Sequence, residues 1–276
     1  MERYINILYL LNSLNKSTSL ITQLKSFFKR IIGTSTIWKL KNYWYTRLSE
    51  DYSKRKKFYS QFIEKNDLCF DVGANIGNRT AVFLGLGAKV VAVEPLGFCR
   101  EILWAKFGNK IDIISEGLGE KEGVMDFYVG STSTLSTLST EWMTEVKKQR
   151  FQDVEWTQKV DLPITTLDKL ITSFGEPSFI KIDVEGYELE VLKGLNKSVK
   201  ALSFEYTLPE QTHVVEACLL HVKNLDASVE CNYSVGETMK FNLSSWVLID
   251  EMIKLIQESD FISTGSGDVY CRVAKK

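Results

Sequence analysis

Beyond residue 66, the hydrophobic and polar positions of the chain follow two alternating periods. Short, nearly continuous apolar runs predict buried strands, and segments with apolar residues three or four positions apart predict helices between them. The predicted strands are 68–72, 89–94, 111–115, 178–183 and 201–206, and the predicted helices are 77–86, 98–107, 188–192 and 210–225. Strand, helix and strand repeated at this spacing predict an α/β fold, with a mostly parallel, doubly wound sheet and helices on both of its faces.

The remaining segments of this region are less regular. Further strands are predicted at 124–129, 159–162, 229–233, 238–243 and 268–273, with helices at 49–66 and 246–257 and another that Thr166 caps. Residues 130–140 are rich in serine and threonine and predict a loop. Because no repeat or linker-like stretch divides the region, we expect one domain over residues 49–276.

The first 48 residues have the pattern of a basic amphipathic helical extension. Leu20, Leu24, Phe27 and Ile31 fall at helical spacing, with basic residues between them. We consider two interpretations: a helical cap on the domain or on a second subunit of a homo-oligomer, and a segment that makes peripheral contact with an anionic membrane surface. We expect no nucleic-acid partner.

The charge distribution agrees with this division. The formal net charge is −1, yet lysine and arginine outnumber aspartate and glutamate by 12 to 3 in residues 1–60, and the remainder holds 22 against 32. An acidic body with a basic arm attracts different partners at its two parts, unlike an evenly neutral protein.

Cysteine and histidine content narrows the chemistry. The five cysteines are scattered and form no CxxC pair, which argues against a zinc site or a disulfide framework and indicates a reducing compartment. With only two histidines, a multi-histidine metal centre is excluded. The apolar stretch 4–14 is too short for a bilayer, which takes roughly 20 residues. We expect a cytoplasmic protein, with the inner face of a membrane as the alternative location.

The strongest chemical signal is the segment Asp71-Val72-Gly73-Ala74-Asn75-Ile76-Gly77, after the first predicted strand. Glycines four apart in a tight turn allow a positive φ and a close approach of backbone to a ligand. The helix that begins at the second glycine offers free N–H groups to an anion. The dinucleotide fingerprint GxGxxG is not present. Taken alone, the loop could also be a tight structural turn.

A second signal lies at the end of the second predicted strand, where Glu94-Pro95 follows four apolar residues. A carboxylate at this position can accept both ribose hydroxyls of an adenosine, and Pro95 ends the strand because it has no N–H. Ser115 and Glu116, after the third strand, lie where an adenine is expected, although an ordinary strand exit explains them as well. The loop and Glu94 together predict an adenosyl cofactor.

The third signal is the block Lys181-Ile182-Asp183-Val184-Glu185-Gly186-Tyr187-Glu188. An apolar strand delivers Asp183 and Glu185 to the carboxyl edge of the sheet, where open α/β sheets bind ligands. Helix capping is the alternative role for Glu188. Lys181 lies inside the strand and is unusual there, because a buried lysine is rare without a partner.

These motifs resemble those of the FkbM-type methyltransferase family. The resemblance rests on residues 71–77, on Glu94-Pro95, on Thr166-Leu167-Asp168 and on residues 181–188. It covers residues 66–206, with a looser likeness to the end of the chain, and leaves the first 48 residues outside.

The resemblance implies a Rossmann-like class I methyltransferase fold, with S-adenosyl-L-methionine as the cofactor. The implied reaction is O-methylation of a hydroxyl on a sugar, glycan, glycolipid or secondary metabolite. Carried over as cofactor contacts are Asp71, Gly73, Asn75, Gly77 and Glu94, with Asp183 near the methionine end of the cofactor. Thr80, Pro95, Ser115 and Glu116 complete the predicted cofactor site.

A sugar hydroxyl is a poor nucleophile at neutral pH, so we expect a general base. The candidates are Asp183, Glu185, Glu205 and His213, of which Glu205 and His213 are favoured. The three carboxylates could alternatively hold Mg²⁺, but no dedicated spacing supports this, and we predict no metal. Acceptor contacts are expected from residues 131–140 and 233–239, with Trp142 or Tyr233 stacking on a sugar ring.

Three other functions are weighed against this one. The first is methylation of a protein side chain or another nitrogen nucleophile, and the second is a non-catalytic, cofactor-binding adaptor. The third, a hydride-transferring dehydrogenase, is disfavoured by the glycine spacing.

Overall fold

The computed structural model describes residues 50–149 and 153–274. The predicted extension, 1–48, lies outside the described residues, and its two interpretations stay predictions. Within the described residues, no helix has the length and apolar character that crossing a bilayer requires.

Eleven strands are described: β1 (Leu68–Val72), β2 (Lys89–Val93), β3 (Ile111–Ile114), β4 (Gly117–Leu118), β5 (Gly123–Gly130), β6 (Trp156–Thr165), β7 (Phe179–Ile182), β8 (Ala201–Thr207), β9 (Val229–Val235), β10 (Val247–Leu248) and β11 (Ser266–Val273). The described α-helices are α1 (Glu50–Tyr59), α2 (Asn78–Leu86), α3 (Gly97–Phe107), α4 (Thr140–Gln149), α5 (Leu167–Phe174), α6 (Glu188–Lys193), α7 (Thr212–Leu225), α8 (Ile249–Leu255) and α9 (Ser259–Ile262).

The main sheet has eight strands in the order β10-β9-β11-β8-β7-β1-β2-β3. Strands β3, β2, β1, β7 and β8 pair in parallel, whereas β11 is antiparallel to both β8 and β9. The chain winds from β1 to β2 and β3 on one side, and later to β7 and β8 on the other. β1 is therefore the switch point, beside which open α/β sheets bind their ligands. The prediction of an α/β fold with a mostly parallel, doubly wound sheet is confirmed.

Apart from Asp71 in β1 and Lys181 in β7, the central strands are apolar on both sides, because both faces of the sheet are covered. In β1, Phe70 and Val72 belong to one hydrophobic cluster and Cys69 to the other; in β7, Ile180 and Phe179 divide in the same way. Strands buried on both faces give continuous apolar runs rather than alternation. The runs in the sequence therefore located these strands to within one or two residues.

A smaller sheet of three strands, in the order β4-β6-β5, was not expected as a separate sheet. The segment predicted as a short strand at 159–162 extends over Trp156–Thr165, because its whole length pairs with β5 in an antiparallel ladder. Helix α4 was also missed. Its first turn is capped by Ser139, whose Oγ accepts the Trp142 N–H at 3.0 Å, and Trp142 and Val146, four residues apart, are buried on one face.

The predicted strand at 238–243 is wrong, since these residues form bends and irregular backbone. The Asn232 side chain explains the difference. Its Oδ1 accepts the Leu243 N–H at 3.1 Å, and its Nδ2 donates to the Leu243 carbonyl oxygen at 3.0 Å. The Asn232 side chain thus forms hydrogen bonds with backbone groups that would otherwise pair with a neighbouring strand. The helix predicted at 246–257 begins only at Ile249, because Val247 and Leu248 pair with β9.

Candidate active site

The main pocket of the described residues is a cavity of about 270 Å³ at the carboxyl ends of β2, β1 and β7. Its walls come chiefly from three loops, each of which follows one of these strands, and from β4, β5 and the serine- and threonine-rich segment above them. Seven of the predicted site residues line it: Asp71, Gly73, Asn75, Glu94, Pro95, Asp183 and Glu185.

The two glycines of the loop after β1 make room for protein atoms. Gly73 has φ +79°, and a β-carbon there would clash with the backbone oxygen of Asp183. Gly77 has φ +82°, is the N-cap of α2, and a β-carbon there would lie 2.6 Å from the Phe107 ring. Both positions require glycine. Gly77 does not line the pocket, so its close approach is to α3 and not to a ligand.

Asp71 lies at the base of the pocket and is 1% exposed. Burial raises the pKa of its carboxyl, and the Lys181 charge and a hydrogen bond from Thr80 oppose that rise. The Thr80 hydroxyl donates to Asp71 Oδ2 at 2.5 Å. Thr80 itself is fully buried and does not line the pocket, so its contact is with Asp71.

Glu94 forms the opposite wall, at the end of β2. Its Oε2 accepts the Asn75 N–H at 2.7 Å, and its Oε1 accepts the Leu96 N–H at 2.8 Å. Burial raises the pKa of Glu94 to about 7, although both backbone hydrogen bonds act against the rise. Each carboxylate oxygen accepts one backbone N–H, which leaves a lone pair on each for the hydroxyls of a ribose. The residues present therefore fit the nucleoside part of an adenosyl cofactor.

The predicted adenine position differs in detail. Ser115 is exposed, and its hydroxyl lies 3.4 Å from Glu116, which is half-buried. Neither residue lines the pocket. Gly117 and Leu118, the residues of β4, line it instead. Strand β4 turns to pair with β6, and the wall of the pocket follows that turn.

Three carboxylates meet at the other end of the pocket. One oxygen each from Asp183, Glu185 and Glu205 lies within 4.8 Å of the others. Burial raises the pKa of Glu205 well above its usual range, and the charges of Asp183 and Glu185 raise it further. The pKa of Glu185 is raised for the same reasons, by burial first and then by Asp183. Close carboxylates in a half-buried site cannot all be ionised.

Lys181 determines which of the three carries the charge. It is 2% exposed, and its ammonium contacts the Asp183 carboxylate. Burial alone would raise the pKa of Asp183, but the Lys181 charge and hydrogen bonds from Lys181 and Glu205 hold that pKa below its usual range. Burial would lower the pKa of Lys181, yet Asp183 and Asp268 reverse the shift. Within the cluster, the pKa of Asp183 is therefore held down while the pKa values of Glu185 and Glu205 are raised, so that Asp183 is the first of the three to ionise.

The loop between β7 and α6 is held in an uncommon conformation. Glu185 has φ +54°, in the left-handed region that non-glycine residues seldom adopt. Its carbonyl oxygen accepts the Thr137 hydroxyl at 2.7 Å. Glu188 Oε1 accepts the N–H groups of Val184 at 3.1 Å and Gly186 at 3.2 Å. Buried side chains thus stabilise a backbone that is unfavourable by itself, as is common at functional sites.

The predicted acceptor segments contribute unequally to the wall. Thr134, Ser136 and Leu138 line the pocket from the first segment, and Glu237 lines it from the second. The prediction that Trp142 or Tyr233 stacks on a sugar is wrong. Trp142 is 1% exposed, and a β-carbon on Gly186 would clash with its ring; Tyr233 is 7% exposed and packs edge-on against Phe261.

His213 lies away from this pocket. Its side chain is 64% exposed, and its Nε2 is 3.4 Å from Glu141 Oε1. Its role as a base stays a prediction, as does that of Glu205, which contacts Asp183 but does not line the cavity.

Arg79 and Tyr187 are among the wall residues that the sequence analysis missed. Arg79 is the second residue of α2, directly after the recognised loop, and Tyr187 lies inside the third motif. Their proximity to the motifs was a usable signal, but no pattern distinguishes an arginine that faces a pocket from one that faces solvent.

Comparisons with known proteins agree with this geometry. Residues 71–262 match the family model described as the methyltransferase FkbM domain. The chain is 28% identical over 145 residues to the hexuronic acid methyltransferase AglP of Haloferax volcanii, a match that covers 51% of this chain and 55% of that protein. The chain thus spans about half the length of the curated relative it matches.

Solved structures are similar only at a distance. A TehB-like SAM-dependent methyltransferase from Corynebacterium glutamicum aligns over 80% of this chain and 88% of its own, with 6% identity and a TM-score of 0.41. An rRNA methylase from Streptococcus thermophilus aligns over 83% of this chain and 99% of its own, with 13% identity and a TM-score of 0.41. Neither likeness bears on the substrate.

Proposed function

Since the chain belongs to the FkbM methyltransferase family, we propose that it is an S-adenosylmethionine-dependent O-methyltransferase whose acceptor is a hydroxyl group of a sugar or glycan. The observation that carries the proposal is a single pocket with Glu94 at one end and an ionised Asp183 at the other. One end fits a nucleoside, and the other fits an acceptor that must lose a proton.

The donor supplies, when bound, a methyl group on a cationic sulfur. The chain must then hold an acceptor oxygen in line with that methyl group and exclude water from the pocket. The central part of the pocket wall is apolar, with Leu118, Phe127 and Leu138 contributing side chains. Such a wall restricts water without offering a competing nucleophile.

Asp183 is the group that receives the acceptor's proton in this proposal. Among the three clustered carboxylates, it is the one whose pKa lies below its usual range, because of the Lys181 charge, whereas the pKa values of the other two are raised. Glu205 donates a hydrogen bond to it and holds its orientation. This differs from the sequence-based preference for Glu205 or His213, since the raised pKa of Glu205 favours its protonated form, which cannot accept a proton, and His213 does not line the pocket.

The acceptor class is supported by the polar groups of the wall. Thr134 and Ser136 offer hydroxyl oxygens on the pocket surface, and such groups pair with sugar hydroxyls. The name of the relative from Haloferax volcanii, a hexuronic acid methyltransferase, is consistent with a sugar acceptor.

The test is a transfer assay with donor labelled at the methyl group and a panel of acceptors. The panel contains free sugars, glycolipids and a mixed protein fraction. Label found in an acid-stable ether on a glycan supports the proposal. Label found only on protein nitrogen, with every glycan unlabelled, would replace it with the alternative of protein methylation.

A further inference from the structure

Arg79 and Glu237 form an ion pair on the wall of the pocket that the chemistry described above does not use. We propose that this pair binds the zwitterionic α-amino-acid head group of the methyl donor, with Arg79 facing the carboxylate and Glu237 facing the ammonium. The proposal rests on the proposed function, because S-adenosylmethionine carries that head group.

The positions of Glu94 and Glu237 in the fold suit a ligand that extends across the switch point at β1. Glu94 follows β2, on one side of β1, whereas Glu237 follows β9, in the other half of the sheet. Both line the same cavity, together with Arg79. A nucleoside held at Glu94 therefore leaves its 5′ substituent free to extend toward the opposite half of the sheet, where the ion pair lies.

Arg79 has the properties of an anion-binding side chain, because only some of its hydrogen-bond donors have a partner. Its side chain is 10% exposed. Its Nε donates to the Tyr59 hydroxyl at 3.2 Å, and its Nη2 donates to both oxygens of Glu237, at 2.6 and 2.7 Å. Within residues 50–149 and 153–274, Nη1 makes no hydrogen bond. A buried guanidinium with a free donor favours a carboxylate partner.

The start of helix α2 strengthens this preference. Arg79 is the second residue of a nine-residue helix, whose first N–H groups have no partner within the helix. The helix contains no acidic residue in its first turn to compensate the positive end of its dipole. An anion next to Arg79 would thus be stabilised by a guanidinium and by the helix terminus together.

Glu237 places a negative charge beside the positive charge of Arg79. Burial would raise the pKa of its carboxyl, but Arg79 and Arg55 hold it below its usual range. Arg55 Nη2 lies 3.2 Å from Glu237 Oε2, so two guanidinium groups fix the orientation of the carboxylate. The side chain is still 62% exposed. Its remaining lone pairs are available to an ammonium group, and a zwitterion leaves the net charge of the pair unchanged.

The alternative is a purely structural ion pair, which would tie residue 237 to α1 and α2. The two roles differ in one measurable respect. A structural pair supports every ligand of the pocket to the same degree, whereas a head-group site supports only ligands that carry the head group.

The test uses three nucleosides in titration calorimetry with the full chain. S-adenosylhomocysteine has the complete head group, its decarboxylated analogue keeps only the amino group, and 5′-methylthioadenosine has neither. The proteins are the wild type, Glu237→Gln, Arg79→Gln and the control Glu122→Gln. The control removes a carboxylate from another exposed ion pair, 2.6 Å from Lys169, outside the pocket.

We expect the wild type and the control to prefer S-adenosylhomocysteine over methylthioadenosine. Glu237→Gln should reduce that preference about tenfold, as expected for a lost charged hydrogen bond, and should weaken the decarboxylated analogue as well. Arg79→Gln should weaken the binding of S-adenosylhomocysteine and leave the affinity for the decarboxylated analogue unchanged. Methylthioadenosine should bind all four proteins alike, and thermal melting should show that each variant is folded.

If Glu237→Gln weakens the binding of all three nucleosides by the same factor, the pair is structural and the inference is wrong. If the variant changes the affinity for none of them, the pair does not face the head group and the inference is also wrong. Either result leaves the proposed function intact. If the wild type binds none of the three nucleosides, the donor assignment fails and the inference fails with it. Glu237 is mostly exposed, so its variant remains informative should Arg79→Gln not fold.

Discussion

At the β2 end of the pocket, one carboxylate, Glu94, is surrounded by backbone N–H groups, whereas at the β7–β8 end Asp183, Glu185 and Glu205 face one another. Both ends bury acidic side chains, but they compensate them differently. Backbone dipoles hold Glu94 in one orientation and leave its outer lone pairs free, which suits binding. The crowded end forces the carboxyl groups to differ in protonation, which suits proton transfer.

The two ends also differ in the kind of group that holds the carboxylate. Glu94 is held by the backbone N–H groups of Asn75 and Leu96. Asp183, directly after β7, is held by the side chains of Lys181 in β7 and Glu205 in the neighbouring strand β8. Each end is therefore built by one βαβ unit, but only the chemical end places charged and titratable side chains of two paired strands against one another.

The largest expected effect is at the chemical end. Asp183→Asn keeps the shape and the contact with Lys181 but removes the proton acceptor, so kcat should fall by a factor of about 10² to 10⁴. S-adenosylhomocysteine affinity, measured by calorimetry, should change by much less. Glu205→Gln is the matched variant: since the raised pKa of Glu205 favours its neutral form, which glutamine resembles, its loss of kcat should be clearly smaller. Equal losses in the two variants would contradict the assignment of Asp183 as the base.

At the binding end, Glu94→Gln should weaken S-adenosylhomocysteine and 5′-methylthioadenosine by the same factor, about 10 to 100, because charged hydrogen bonds to the shared ribose are lost. Glu116→Gln is the control, since Glu116 was predicted to lie at the adenine but does not line the pocket. Calorimetry of both variants decides between the two positions. A larger loss for Glu116→Gln would show that the nucleoside lies elsewhere.

The pKa of Glu94, raised to about 7 by burial, predicts a pH dependence of binding. The ionised form accepts the ribose hydroxyls, so the affinity for S-adenosylhomocysteine should rise as the pH increases through 7. Binding should be about tenfold tighter at pH 8 than at pH 6. Binding should release protons in the same range, which calorimetry in buffers of different ionisation enthalpy measures. Glu94→Gln should flatten the profile; a profile that persists in that variant would point to another group, such as Glu188.

The smallest expected effect concerns the loop that carries Glu185. Thr137→Val removes the hydrogen bond to the Glu185 carbonyl oxygen and should lower kcat several-fold, since one neutral hydrogen bond is worth about 1 kcal/mol. The nucleoside affinity should not change. Thr172→Val is matched to it, because the Thr172 hydroxyl also donates to a backbone oxygen, at 2.8 Å, on the exposed face of helix α5. A lower kcat in both variants, with lower melting temperatures, would indicate a general effect on stability.

Much of the fold could be predicted because its determinants are local. The runs at 68–72, 89–94 and 178–183 are apolar on both faces, and such strands occur in covered parallel sheets. Gly73 and Gly77 have a positive φ, and glycine adopts this conformation without stabilisation by neighbouring residues. The motifs that carry the family resemblance lie at these strand ends, so one pattern located both the sheet and the pocket.

The secondary-structure predictions were wrong where a side chain distant in the sequence determines the local conformation. Residues 238–243 have the alternation of a strand, but the Asn232 amide pairs with Leu243, eleven positions later. Helix α4 is short and amphipathic, and its buried Trp142 contacts Gly186, which is far away in the chain. Local propensity cannot register partners at such separations.

By itself, the sequence determined the parallel sheet, the loop after β1, the acid at the end of β2 and the family, because each depends on residues close together in the chain. Only the tertiary structure decided which carboxylates meet, which of them is ionised, and that Arg79 and Glu237, 158 positions apart, face one pocket. The physical reason is that charge and burial depend on distances in space, and strands that pair across the sheet set those distances.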